Sequence, residues 1–208
     1  INTLDTPLFR ADIAALLAGQ EVMLPTFNFV AGKREWDGKK LRLEENSVII
    51  VEGIHGLNPQ MVPDGVAEHE MFKLYVSPLL PLNLDNHNRI PTSYLRLLRR
   101  IVRDYETRGS SVQRTISMWD SVQSGEKRWI FPYQENADVM FNSALLFELA
   151  ALRPQAMPLL EQVDERYEEY SEAYRLHKFL SYIKPIPIDG LPPTSLLREF
   201  LGGSTFNY

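Results

Sequence analysis

Cysteine is missing altogether from this chain of 208 residues. Disulfide stapling and thiolate-held zinc are therefore excluded, and the absence fits a reducing compartment such as the cytoplasm. No apolar run approaches the ~20 residues that a membrane-spanning helix needs, and no signal peptide is visible, so no membrane partner is expected. The histidines, at 55, 69, 87 and 177, show no metal-ligand spacing and no H-E-x-x-H, which leaves zinc hydrolysis unsupported. G-x-S-x-G, the elbow of many serine hydrolases, is absent too. So is G-x-x-x-x-G-K-[ST], the loop that cradles nucleotide phosphates.

What is present is ordinary in bulk: 44% hydrophobic and 24% charged residues, in a chain long enough for one sizeable core. The charge distribution says more than the net value of −5. Between Arg96 and Arg114 stand Arg96, Arg99, Arg100, Arg103, Arg108 and Arg114 against only Asp104 and Glu106. Acidic residues dominate from Glu161 to Glu172 instead. A concentrated cationic segment on an acidic protein suits a small anionic ligand better than a polyanion, so nucleic acid is not the expected partner.

Leu4, Leu8, Ile13, Leu16 and Leu17 have helical spacing, with Gly19 as a stop. Glu21–Val30 and Lys39–Leu43 read as strands flanking a turn at Trp36-Asp37-Gly38-Lys39, since Asp-Gly is a hairpin signal. Ser47–Val51 reads as a strand buried on both faces, with Met71–Val76 and Ala137–Phe141 as further strands. Helices are predicted over Pro91 to about Thr107, Ser111–Val122, Ala144–Leu152 and Asp164–Ile183, with Met157–Leu160 in the same helical region and a short patch at Ser195–Leu201. This order points to an α/β fold with a mainly parallel sheet.

Three groups of residues carry candidate chemistry. Glu52 follows the Ser47–Val51 run directly, where α/β folds bind ligands; it either holds Mg²⁺ or pairs with a neighbouring lysine. Arg99, Arg100, Arg103 and Arg108 either meet phosphates or form a solvated helix face, with Arg100–Asp104 as an i,i+4 pair. Phe27 and Phe29 share a strand face, with Lys33 and Arg34 close by; they either stack on a planar ligand or belong to the core.

Taken in order, these segments resemble a known family. Leu17-Ala-Gly-Gln-Glu-Val22, Pro25-Thr-Phe-Asn-Phe29, Ile50-Val-Glu-Gly53, Leu97-Leu-Arg-Arg-Ile-Val-Arg-Asp104, Arg108-Gly109 and Ala137-Asp138 are similar to the uridine kinase and phosphoribulokinase family. The chain looks most like a bacterial uridine kinase-like subgroup in which a threonyl-tRNA synthetase-like module precedes the kinase. Further signatures of that subgroup are Glu52-Gly-Ile-His-Gly-Leu-Asn-Pro59, Asn88-Arg-Ile90, Phe131-Pro-Tyr-Gln-Glu135, Phe141-Asn-Ser-Ala144 and Leu197-Arg-Glu-Phe-Leu-Gly-Gly203.

The resemblance implies a P-loop nucleoside kinase-like three-layer domain, incomplete at its N-terminus, with a helical C-terminal extension. It implies one domain over 1–208: a core over 1–153 holding a nucleoside hairpin (21–43) and a lid (91–125), then the extension over 154–208. The implied activity is phosphorylation of a nucleoside 5′-hydroxyl, with ATP as donor and Mg²⁺ as cofactor. Glu52 would stand at the metal, Arg99 and Arg100 at the ATP phosphates, and Arg103 and Arg108 at the transferring group. Phe27, Phe29 and Arg34 would cover the nucleoside.

The family's P-loop and the aspartate after it would precede Ile1, so little or no turnover is expected of these residues alone. Tyrosine and histidine in familiar uridine kinases are replaced by Phe27 and Gly32, and an arginine after the Arg-Gly pair by Ser110. Each change removes a donor that the pyrimidine or sugar could use, and with it part of the basis for uridine specificity. The alternative is a nucleotide-sensing module that keeps the fold without efficient catalysis. Assembly into a homo-oligomer is left open.

Overall fold

Two compact units emerge in the computed structural model, which describes residues 4–28 and 33–206. The first comprises residues 1–75 and 126–139, the second residues 76–125 and 140–208.

In the first unit, helix α1 (Thr6–Leu17) begins where Asp5 accepts the Leu8 N–H, with a proline in its first turn. It ends at Gly19, whose φ of +73° suits a residue without a Cβ. The chain then runs through two antiparallel ladders. Strand β1 (Val22–Met23) pairs with β4 (Lys40–Leu41), and β2 (Thr26–Asn28) pairs with β3 (Lys33–Glu35). The predicted turn at Asp37-Gly38 is corrected by this register: it lies between β3 and β4, not at the end of the hairpin. There Asp37 accepts bonds from Thr26 Oγ1 (2.8 Å) and the Lys39 N–H (3.0 Å), an Asx turn that locks the two arms together.

The run Ser47–Val51 forms no ladder. Val48 and Ile50 are 84% and 87% exposed. β-branched composition favours extended backbone, but a strand needs a hydrogen-bonded neighbour, and none of the described residues supplies one here. Strand β5 (Leu74–Ser77) pairs with β6 (Val139–Asn142). The Asp138 N–H donates to the Lys73 carbonyl and the Ser143 N–H to the Ser77 carbonyl, so both strands advance in the same sense. Where a mainly parallel sheet was expected, the described residues hold this one parallel pair beside two antiparallel ladders.

The second unit is built on helices. In α2 (Thr92–Arg108) the buried residues Leu95, Leu98 and Val102, with Leu97 and Ile101, recur at i+3 and i+4. Each fully buried leucine or isoleucine contributes roughly 1.5–3 kcal/mol over exposure. This stripe packs against α5 (Glu148–Leu160) and α7 (Arg198–Leu201), while α6 (Tyr170–Ser181) lies on α5. Helix α2 stops at Gly109 in the left-handed region, φ 60° and ψ 25°. The predicted helix over Ser111–Val122 is split into α3 (Val112–Ser117) and α4 (Trp119–Trp129).

Helix α5 runs through Pro154 and past Leu152, where the predicted helix ended. Pro154 cannot donate to the Ala150 carbonyl. The Ile186 N–H takes that acceptor instead, at 3.2 Å, so the later chain repairs the helix. No helix among the described residues is long and apolar enough to cross a membrane.

Candidate phosphate and nucleoside site

The amphipathic pattern of α2 divides its arginines between two environments. Arg99 points inward, and its residue is 8% exposed. Its guanidinium donates to both carboxylate oxygens of the fully buried Glu148, to the Ser143 carbonyl at 2.8 Å, and lies 5.0 Å from the Phe200 ring centre. Expected at the phosphates, Arg99 is committed in this structure to joining α2 with α5 and α7.

Arg100, Arg103 and Arg108 gather instead around one carboxylate. Asp104 is 5% exposed. Its Oδ1 accepts from Arg103 Nε (3.1 Å) and Nη2 (3.0 Å) and lies 3.3 Å from Arg108 Nη1. Its Oδ2 lies 3.2 Å from Arg100 Nε. The spacing of 100, 104 and 108 puts these residues on one helix face that runs to the C-terminus, where the helix dipole favours the Arg108 cation. Three guanidinium groups on one carboxylate leave a local excess of positive charge. Arg108 keeps 57% of its side chain exposed and can meet an anion from solvent.

On the β2–β3 ladder Phe27 stands opposite Arg34, and Phe27 is 52% exposed. Arg34 ion-pairs with Asp5 and places its guanidinium 5.6 Å from the Trp36 ring centre. Asp5 is held below the ordinary carboxylate range, first by Arg34 and then by the Leu8 N–H. Trp36 is half-exposed and shares the face of Arg34, a role that its place beside Asp-Gly concealed in the sequence. Phe29 lies outside the described residues.

Glu52 is exposed and has no partner among the described residues. Gly53 follows it at φ 152°, a backbone region that glycine adopts easily. Among the described residues no three acidic or histidine side chains converge as a metal cage. Phe27, Arg34 and Glu52 thus belong to the first unit, and the arginine cluster to the second.

Residues 2–147 match the Phosphoribulokinase / Uridine kinase family. The chain belongs to this family. Curated relatives agree: a uridine kinase of Halobacterium salinarum is 29% identical over 135 residues, covering 64% of this chain and 51% of the relative. A uridine kinase of Streptococcus gordonii is 32% identical over 137 residues, covering 65% and 56%. One of Chloroflexus aurantiacus is 30% identical over 142 residues, covering 67% and 58%. The chain spans about half the length of these relatives. Membership in the phosphoribulokinase and uridine kinase family implies a P-loop kinase fold, and both the hairpin and the arginine cluster fall inside the matched residues.

Proposed function

We propose that this chain is the nucleoside- and phosphate-handling part of an ATP-dependent nucleoside kinase, acting on the 5′-hydroxyl of a uridine- or cytidine-like nucleoside. The observation that carries the reading is the gathering of Arg100, Arg103 and Arg108 around Asp104, inside the family-matched residues. Phosphoryl transfer asks a protein mainly for positioning and for neutralisation of charge. Fixed guanidinium forks provide both.

In this reading Arg103 and Arg108 face the transferring phosphoryl group and Arg100 an ATP phosphate. Phe27, with Phe29 and Arg34, covers the base and sugar, and Glu52 contributes a carboxylate to the magnesium ion. That ion, bound with ATP, bridges phosphate oxygens and offsets their charge. Arg99 acts at one remove by holding α2 against α5. The hairpin (21–43) and lid (91–125) are parts of one kinase-like domain, with 154–208 as its helical extension.

The 208 residues contain no G-x-x-x-x-G-K-[ST]. The lysine and backbone amides of such a loop supply much of the phosphate binding in P-loop enzymes, so turnover by these residues alone is expected to be low. Calorimetric titration of this chain with a nucleoside panel, with and without Mg·ATP, tests the reading. Saturable binding of a pyrimidine nucleoside supports it, and binding of neither nucleoside nor Mg·ATP refutes it. A nucleotide-sensing role is the second reading, favoured by Phe27 and Ser110 in place of hydrogen-bonding residues. Binding without turnover in the protein as encoded would select it.

A further inference from the structure

Asp104 is a costly residue to bury. An ionised carboxylate inside a helix-packed face loses hydration, and the loss is offset only by charges and donors brought to it. One arginine would neutralise it, yet the structure supplies three: Arg103 through two N–H groups on Oδ1, Arg108 against the same oxygen, and Arg100 against Oδ2. The backbone of Asp104 is engaged as well. Its carbonyl accepts the Gly109 N–H that closes α2 and the Ser110 N–H at 2.9 Å. One residue therefore fixes both the guanidinium groups and the turn that follows Arg108.

We propose that Asp104 is a positioning residue, whose buried carboxylate holds Arg100, Arg103 and Arg108 as one preformed fork for a phosphate chain. The proposal rests on the kinase reading above and adds to it the device that aligns the arginines. Without a shared counter-ion, three guanidinium groups spread over about two turns of one helix repel each other and sample separate rotamers. With it they are held together and still carry an excess of positive charge. Each arginine keeps N–H donors that Asp104 does not use. Arg100 and Arg103 are each three-quarters buried in their side chains, so the cluster is restrained by packing as well as by charge.

This role opposes a purely electrostatic one. If Asp104 merely lowered the local charge, Asp104→Asn would raise affinity for every anion. If it positions the arginines, the same change loosens them. The test compares this chain with Asp104→Asn and Asp104→Glu by arginine Nε–Hε nuclear magnetic resonance, each signal assigned through single Arg→Lys changes. In the wild type the signal of Arg103, whose Nε–H donates to Asp104, should stand apart from those of exposed arginines and exchange slowly. In Asp104→Asn the Arg103 signal should merge with the exposed set and exchange faster by about tenfold or more, the scale of a lost charged hydrogen bond. Asp104→Glu should restore part of the protection.

Adding Mg·ATP or inorganic tripolyphosphate completes the comparison. Wild-type signals should shift saturably, and Asp104→Asn should no longer distinguish Mg·ATP from tripolyphosphate. Unchanged arginine signals in a folded Asp104→Asn would overturn the positioning role. Asp104-dependent signals that never respond to Mg·ATP or tripolyphosphate would overturn the phosphate reading and leave the arrangement of arginines as a structural feature only. Thermal unfolding of each variant shows that it is folded under the conditions of the spectra.

Discussion

Arg99 and Glu148 meet fork to fork inside the helical unit, with Arg99 Nη2 donating to Glu148 Oε2 at 2.7 Å and Nε donating to Oε1. Breaking such a buried pair leaves an uncompensated charge, which costs about 3–5 kcal/mol. Glu148→Ala is therefore expected to lower unfolding free energy by that order in urea titrations. Arg99→Met with Glu148→Leu should recover most of it, because replacing both partners with apolar groups is often near neutral. Equal stability of Glu148→Ala and the wild type would remove the pair from the account of the fold.

Asp5 makes the start of α1 sensitive to acid. Its pKa is depressed by Arg34 and by the Leu8 N–H, so the unfolded chain takes up the proton more readily than the folded one. The stabilising contribution is present above the ordinary carboxylate value and is lost as pH falls through the lower folded value. Asp5 is exposed, so the expected effect is local. Hydrogen-exchange protection of the Leu8 N–H should hold at neutral pH and fall in acid, while Asp5→Ala should lack it at both.

Phe27 offers a half-exposed ring on the ladder opposite Arg34. Stacking of a base on an aromatic ring is worth roughly 1–3 kcal/mol. Phe27→Ala should thus weaken nucleoside binding by roughly one to two decades while leaving Mg·ATP binding within about twofold, as read by calorimetry. Loss of both affinities together would argue against a separate nucleoside face. Trp36→Ala provides a companion measurement, since Trp36 shares the Arg34 face.

Much of this organisation was legible in the residues themselves. The i+3 and i+4 pattern of α2, its glycine stop and the order of the family segments all appear before any coordinates. Three features did not, for physical reasons. Ser47–Val51 has strand composition, but pairing is a non-local property that composition cannot guarantee. The continuation of α5 past Leu152 and through Pro154 was not visible, because the donor that takes up the freed Ala150 carbonyl, the Ile186 N–H, lies far along the chain. The division of the arginines was hidden as well. Arg99 and Arg100 are adjacent, yet one meets Glu148 and the other Asp104 on a different helix face, since a step of one residue turns the helix by about 100°.

The candidate site was legible to a different degree. Arg100, Arg103 and Arg108 converge on one carboxylate, a grouping that spacing alone did not single out. Only the Arg100–Asp104 pair was read from its i,i+4 spacing; Arg108 stands at the same spacing on the other side of Asp104, and the convergence of three side chains on one carboxylate is not a property of spacing. Arg34 reaches back to Asp5 across almost thirty residues, a contact that no local pattern announces.

The account stands or falls on phosphoryl transfer to a nucleoside. The most direct measurement follows transfer of the γ-phosphoryl group from Mg·ATP to a panel of nucleosides by the protein as encoded, with Glu52→Ala beside it. A nucleoside 5′-monophosphate should form from at least one pyrimidine nucleoside. Glu52→Ala should lower kcat/KM by about 10²-fold or more, the scale of losing one oriented electrostatic contact in a transition state. No nucleoside monophosphate from any member of the panel, with Mg·ATP still bound, would contradict the kinase reading.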